Sequence, residues 1–203
     1  SVDGAFHVLR DNSEENVRDI ITDCASSNPE SGSDEQKIGD LYASFMDTDH
    51  IEALGIGPIT GELEKIAAIN SLEALARRVG RLQRHGTGGL FGYYVDTDAK
   101  QSDRYLVHLT QSGLGLPDES YYRDPAHAAI LSAYPEHIAR MLTLVHGQGD
   151  HAATARRIVD LESKLAAAHW DVVKRRDAEL TYNLMSLNEF TSTSDGFPFA
   201  EWF

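Results

Sequence analysis

The sequence has one cysteine, Cys24, and few basic residues. Its 203 residues include 18 lysines and arginines against 32 aspartates and glutamates, which gives a formal net charge of −14. A single cysteine excludes an internal disulfide, and we interpret Cys24 as a small apolar residue on a helix. Because an acidic surface repels phosphate backbones and anionic lipids, the charge disfavours nucleic acids and membrane surfaces as partners.

Long apolar runs are also missing. No run approaches the roughly 18 residues that cross a bilayer, so the sequence predicts no membrane-spanning segment. Residues 1–16 lack the basic start and apolar stretch of a signal peptide, and a chain that begins at Ser1 is expected to be truncated or processed. The localisation therefore stays open between the cytoplasm and export or the cell envelope. No internal repeat is present, which excludes a solenoid.

The signatures of common active sites are absent as well. No two of the nine histidines lie four residues apart, the spacing of a zinc-binding helix, and no G-x-S-x-G segment occurs. The glycine-rich segment 86–92 does not fit a dinucleotide loop, because Phe91 occupies the third glycine position and a helix precedes the segment. We interpret it as the end of a helix that leads into a strand. The residues alone predict no catalytic group and no metal ligand.

Two acidic pairs have the composition of a cation site, Asp47 with Asp49 and Asp96 with Asp98. Neither pair is followed by the glycine and glutamate of a calcium-binding loop. Aspartates in turns commonly accept hydrogen bonds from their own backbone, which is the interpretation we favour. The paired histidines are interpreted as solvent-exposed or capping residues: His127 with His137, and His146 with His151.

Helix-starting signals recur along most of the chain, as polar caps or as a proline in the first turn. The first predicted helix has Val17, Ile20, Ile21 and Cys24 on one face and ends near Ser26, and the second follows Ser33 and buries Ile38, Leu41, Tyr42 and Phe45. Further helices are predicted from Pro58, over 72–85 with Asn70 as its cap, from Asp124, over 151–174, and from Ser186. We expect a loop at 47–49, irregular structure at 175–187, and a break or kink at Pro135.

Residues 90–97 and 104–110 are rich in Tyr, Val, Leu and Phe, which favour strands. We predict an antiparallel hairpin with a six-residue connection, 98–103. The fold class is therefore mainly α-helical with one small β-hairpin. The aromatic residues at 197–203 are unusual for a chain end, so this segment is expected to mark a cut, to dock on another surface, or to expose apolar area.

Residues 113–124, Gly-Leu-Gly-Leu-Pro-Asp-Glu-Ser-Tyr-Tyr-Arg-Asp, resemble the G-L-P-x-x-x-Y-Y signature of the neprilysin-like zinc metalloendopeptidases. Further segments resemble this family in the same order: 3–11, 37–47, 94–108 and 182–187. Within the family, the resemblance is greatest to the mycobacterial zinc metalloproteases.

The resemblance implies a longer, mostly helical protein whose two lobes enclose a cavity in which small to medium peptides are hydrolysed. Residues 1–110 would form the early part of the catalytic lobe, and 111–203 would lead into the second, lid-like lobe. The family's zinc ligands, an H-E-x-x-H helix and a later glutamate, and its substrate-binding Asn-Ala pair all lie downstream of these segments. Zinc would therefore belong to the full-length parent, and this chain, truncated before the zinc region, would bind none and be inactive. Its partners would be peptide substrates and the remainder of its own chain.

Arg10 is the one candidate for the substrate cavity. In the family, an arginine near the first helix lies close to the pocket for a peptide's C-terminal carboxylate, and Arg10 matches one such arginine, although the position usually given this role falls near Val2. The alternative for Arg10 is a salt-bridging surface arginine. The alternatives for the whole chain are a non-catalytic helical interaction module and a hydrolase that uses scattered carboxylates or histidines.

Overall fold

The computed structural model describes residues 4–193 and 196–203. These residues form helices and one antiparallel hairpin, which confirms the predicted fold class. They divide into two compact units, Ser1–Gly61 and Glu62–Phe203. The division at 110/111 refers to the lobes of a longer protein and stays a prediction.

The elements follow the chain in a simple order. The helices are α1 Ala5–Ser26, α2 Asp34–Met46, α3 Thr48–Leu54, α4 Gly57–Ala67, α5 Leu72–Arg84, α6 Ala128–His146, α7 Ala152–Ala168, α8 Val172–Arg175, α9 Ala178–Thr181, α10 Leu187–Thr193 and α11 Phe199–Trp202; the strands are β1 Phe91–Asp98 and β2 Gln101–Gln111; and two short 3-10 helices cover Glu119–Tyr122 and Pro125–His127. In the part of the chain that the structure describes, every helix is too short or too polar to cross a membrane.

Helices α1 and α2 pack through small residues. Gly39 is buried, and a Cβ placed on it would lie 2.7 Å from the carbonyl oxygen of Cys24, so only glycine fits this close approach without displacing the backbone. Cys24 is buried on α1, as predicted. The predicted burial of Leu41 and Phe45 is wrong, because contact is made on the side of α2 that carries Gly39 and leaves these side chains 72% and 75% exposed.

Local capping was predicted well in two places. The Ser33 hydroxyl accepts a hydrogen bond from the backbone N–H of Gln36 at 3.1 Å, and the Ser186 backbone N–H donates to Glu189 at 2.7 Å. Two other boundaries were wrong. Asp47 begins α3 rather than a loop, because its carboxylate accepts from His50 N–H, and the cap of α5 is Ser71 rather than Asn70.

Helix continuity differs from the prediction in two places. The predicted break at Pro135 is wrong, because Pro135 lies inside α6, which continues to His146; a kink there stays a prediction. The predicted helix over 151–174 is interrupted after α7, where His169 has extended backbone. Asp171 then begins α8, since its carboxylate accepts from the N–H groups of Val173 and Lys174, both at 2.9 Å. Residues 175–187, predicted to be irregular, include the single turn α9.

The hairpin is confirmed, but its turn is tighter than predicted. Phe91 pairs with Gln111 at the open end, and Asp98 pairs with Gln101 at the turn, so two residues connect the strands instead of six. The Asp98 carboxylate accepts from Lys100 N–H at 2.9 Å, which stabilises this short turn locally.

A core cluster of the second unit lies where α5, β1 and the end of the chain meet. Its residues are Ala76, Val79 and Trp202, with Leu75, Phe91, Leu109, Phe197 and Phe199 packed around them. Gly80 allows α11 to approach, because a Cβ there would overlap the Trp202 carbonyl. The terminal aromatic segment therefore docks on its own chain, and the expected exposure applies to Phe203, which is 53% exposed, but not to Trp202.

Candidate functional site

Arg10 lies on α1 at an open groove of about 450 Å³ whose apolar wall includes Val17, Ile21 and Tyr42. Its guanidinium donates to the carboxylate of Asp11 from Nε at 3.1 Å and from Nη2 at 2.8 Å. Glu14 lies 3.6 Å from the same Nε, and the Arg10 side chain is 60% exposed. In this unit Arg10 is a salt-bridged surface residue, and its contact with substrate stays a prediction.

The acidic pairs have separate structural roles. Asp47 caps α3, while Asp49 lies in the first turn of that helix. Asp96 accepts from the backbone N–H of Thr97 at 2.7 Å, and Asp98 is bound by other donors described below. Asp96 and Asp98 therefore have different hydrogen-bond partners.

The histidines are also engaged locally. His127 stacks on Tyr121 with ring centroids 4.0 Å apart, and the rings of His146 and His151 are 6.1 Å apart. The Nε2 atom of His151 lies 3.0 Å from the Gly147 carbonyl oxygen. Within residues 4–193 and 196–203, no three His, Cys, Asp or Glu side chains converge as a metal ion requires. A zinc ion would need ligands from outside these residues.

The family-like motif at 113–124 is organised by Tyr122. Its hydroxyl donates to Glu162 Oε2 at 2.6 Å and accepts from the backbone N–H of Leu116 at 3.1 Å. The Tyr134 hydroxyl donates to the other oxygen of Glu162 at 3.3 Å. We call these four residues the motif cluster. It ties the loop before Glu119–Tyr122 to α6 and α7.

The motif cluster is suited to a structural role, because its phenols donate hydrogen bonds at neutral pH. Burial, and then donation to Glu162, raises the pKa of Tyr122 above its ordinary value. Burial, together with the charge of Glu162, raises the pKa of Tyr134 to about 12. Both phenols are therefore protonated donors at neutral pH and cannot serve as bases. Gly115 lies against this pair, because a Cβ at that position would overlap the Tyr134 hydroxyl.

A second set of polar contacts surrounds Asp98, which is 1% exposed. Its Oδ2 accepts from Arg104 Nε at 2.8 Å, and its Oδ1 accepts from the Tyr182 hydroxyl at 2.9 Å. Lys100 extends the set, since its ammonium lies 2.9 Å from a Glu179 carboxylate oxygen and 4.6 Å from the Tyr182 ring centroid. We call these five residues the hairpin cluster. It links the hairpin turn to residues 178–182.

The hairpin cluster predicts how stability depends on pH. The backbone N–H of Lys100, and then Arg104 and Tyr182, lower the pKa of Asp98 to about 2 from its ordinary 3.8, against the opposing effect of burial. Because the folded pKa lies below the unfolded one, the stabilisation is present above pH 3.8 and is lost as the pH falls toward about 2.

We therefore expect Asp98→Asn to unfold at lower urea concentration than the wild type near about pH 6, with the difference shrinking toward about pH 2. The control is Asp103→Asn, which changes an exposed aspartate on β2. The prediction would be contradicted if the unfolding midpoints of Asp98→Asn and the wild type differed by the same urea concentration at both pH values.

Sequence reasoning located the motif of Tyr122 but missed its partner. Glu162 lies 40 residues further along the chain, and Tyr182 lies 84 residues from Asp98, so no local spacing connects them. Asp98 was noted only as half of an acidic pair. Its enclosure by Arg104 and Tyr182 depends on tertiary contacts.

Comparison with known proteins gives consistent matches over this whole chain. A family model described as Peptidase family M13 matches residues 1–203. Endothelin-converting enzyme 1 of Cavia porcellus is 29% identical over 195 residues, which cover 92% of this chain and 26% of that protein. The zinc metalloprotease Zmp1 of Mycobacterium tuberculosis, solved in complex with an inhibitor, is 55% identical with a TM-score of 0.92, over 98% of this chain and 31% of that one.

A more distant structure shares the fold. PepO of Lactobacillus rhamnosis is 20% identical with a TM-score of 0.72, over 89% of this chain and 29% of that one. The chain thus spans about 26% of the curated relative and about 31% of the mycobacterial structure. The resemblance inferred from residues 113–124, including its mycobacterial character, is confirmed by these comparisons.

Proposed function

This chain belongs to Peptidase family M13, and from that premise we propose that it is the N-terminal region of a zinc-dependent endopeptidase that hydrolyses small to medium peptides. The observation that carries the proposal is the match to a zinc metalloprotease at 55% identity and a TM-score of 0.92. The motif cluster supports the proposal, because the hydrogen bond from Tyr122 to Glu162 joins the family-like motif at 113–124 to α7.

The described residues contribute scaffold rather than chemistry in this proposal. The protonated phenols of the motif cluster and the ionised Asp98 of the hairpin cluster hold loops in place. Residues 4–193 and 196–203 contain no zinc site, so we propose that the ion is bound by other parts of the parent. On this basis residues 1–203 alone are expected to be inactive.

The remainder of the parent chain is the proposed partner of the first unit. Large apolar side chains on its helices are exposed, among them Phe6 at 88%, Leu41 at 72% and Phe45 at 75%. Such a concentration of exposed apolar area is typical of a surface that another part of a protein covers. The proposed lobe division, 1–110 and 111–203, and the substrate role of Arg10 belong to the same proposal.

The test is peptide hydrolysis by the full-length protein. We expect cleavage of an internally quenched fluorogenic peptide to fall about 100-fold or more after zinc is removed with 1,10-phenanthroline, and to return on addition of zinc. Residues 1–203 alone serve as the comparison and should give no cleavage. Hydrolysis that persists without zinc would contradict the proposal. Peptide binding without cleavage by the zinc-loaded protein would support the non-catalytic interaction module instead.

A further inference from the structure

The second unit has a basic groove of about 430 Å³ between the end of α4, α5 and α11. Its charged lining residues are Lys65, Arg77, Arg78, Arg81, Arg84 and Glu201. Five of the chain's 18 lysines and arginines thus meet at one place in a chain whose net charge is −14. Like charges repel one another, so such a concentration indicates a site for negative charge.

Two carboxylates pair with part of this basic set. Glu62 accepts from Lys65 at 2.6 Å and from Arg78 at 3.1 Å, and Glu201 accepts from Arg77. The cations of the groove therefore already bind carboxylates with the geometry of charge-assisted hydrogen bonds.

Two arginines have no close carboxylate partner among the described residues. Arg84 donates at 3.2 Å to the backbone oxygen of Phe203. Arg81 forms no ion pair within that part of the chain, although its charge contributes to the lowered pKa of Glu62. Both side chains are exposed, so their guanidinium groups are accessible to a ligand.

The spacing of the arginines favours an extended ligand over a single small ion. Arg77, Arg81 and Arg84 are four and then three residues apart on α5, so they lie along one side of the helix. At about 1.5 Å per residue, Arg77 and Arg81 are about 6 Å apart along the helix axis, and Arg81 and Arg84 are about 4.5 Å apart. Alternate side chains of an extended peptide are about 6.6 Å apart on one face. More than one carboxylate of a single extended peptide can therefore reach the three arginines.

The rest of the groove also suits a peptide. Ala68, Ile69 and Ala74 supply an apolar wall beside the cations. A long polyanion such as nucleic acid would extend beyond the groove over a chain of net charge −14, which repels it. A short acidic segment would stay within about one Debye length, roughly 8 Å, of the arginines.

We propose that this basic groove binds a short acidic peptide segment. It would recruit acidic peptides, or acidic segments of a protein, to the second unit.

The test is fluorescence anisotropy with the full-length protein, kept free of zinc so that peptides stay intact. The probe is a labelled Glu-Gly-Glu-Gly-Glu peptide at low salt. We expect saturable binding that weakens as salt is added, and about tenfold weaker binding for the double variant Arg81→Gln with Arg84→Gln. The matched control is Arg140→Gln, an exposed arginine on α6 that pairs with Glu136 at 2.9 Å, which should change binding less than about twofold.

Competitors define the ligand class. Unlabelled Glu-Gly-Glu-Gly-Glu should displace the probe, whereas Gln-Gly-Gln-Gly-Gln should not. Absence of binding, or equal binding by the double variant and the wild type, would overturn the proposal. Tighter binding of inorganic pyrophosphate or of a DNA duplex than of the acidic peptide would also overturn it, because the ligand would then be a phosphate. Peptidase activity of the zinc-loaded double variant is a separate readout, so failure here is distinguishable from failure of the proposed function.

Discussion

Replacing Trp202 by alanine is expected to lower the free energy of unfolding of the second unit by about 3–5 kcal/mol. Trp202 is 6% exposed, and its ring packs against Phe91 and Tyr93 at centroid distances of 5.1 and 5.3 Å. Its Nε1 also donates to Gln83 Oε1 at 2.6 Å, and Gln83 Nε2 donates to the Phe91 carbonyl. The substitution therefore leaves both a cavity and an unpaired oxygen on buried Gln83.

The measurement is urea unfolding followed by far-UV circular dichroism, which does not depend on tryptophan emission. Trp170→Ala makes the same chemical change at a side chain that is 41% exposed, and we expect a loss below about 1 kcal/mol. Equal losses for the two variants would show that α11 does not stabilise the second unit as its contacts indicate.

Replacing Tyr122 by phenylalanine is expected to cost about 2 kcal/mol of unfolding free energy. The ring is retained, but Glu162 loses a hydrogen bond of 2.6 Å and the Leu116 N–H loses its acceptor at 3.1 Å. Loss of a bond to a carboxylate and an unsatisfied amide both oppose folding. In the full-length protein we expect the same variant to loosen the loop that contains residues 113–118.

Tyr121→Phe is the matched control for the hydroxyl. The neighbouring ring stacks on His127, and in the described residues its hydroxyl has no hydrogen-bond partner, so the change should be within about 0.5 kcal/mol. Amide hydrogen exchange of Leu116 provides a local readout, and it should accelerate in Tyr122→Phe alone. Unchanged exchange at Leu116 would show that the Tyr122 hydroxyl does not hold this loop in place.

The arginines of α5 illustrate a signal that sequence reasoning could have used. Arg77, Arg81 and Arg84 recur at helical spacing, and the helix from 72 onward was predicted correctly. What spacing cannot show is the pairing of Glu201 with Arg77, because these residues lie 124 positions apart. Which of these arginines pairs with a carboxylate depends on the position of α11, and local spacing does not show it.

The sequence by itself determined the features that depend on neighbouring residues. The cap at Ser33, the helix from Leu72 and the strands of the hairpin follow from contacts within a few positions, which composition and spacing encode. The motif at 113–124 also identified the family without any structure.

Tertiary structure alone decided the features that join distant residues. The apolar stripe with Leu41 and Phe45 is exposed here, because burial depends on which surfaces meet and not on periodicity. The aromatic segment at 197–203 docks on α5 since Gly80 admits it, and Tyr122 finds Glu162 only after α7 packs beside the motif. Contacts between distant residues depend on the complementary shape and charge of surfaces that meet only in the folded chain. Local sequence patterns therefore do not predict them.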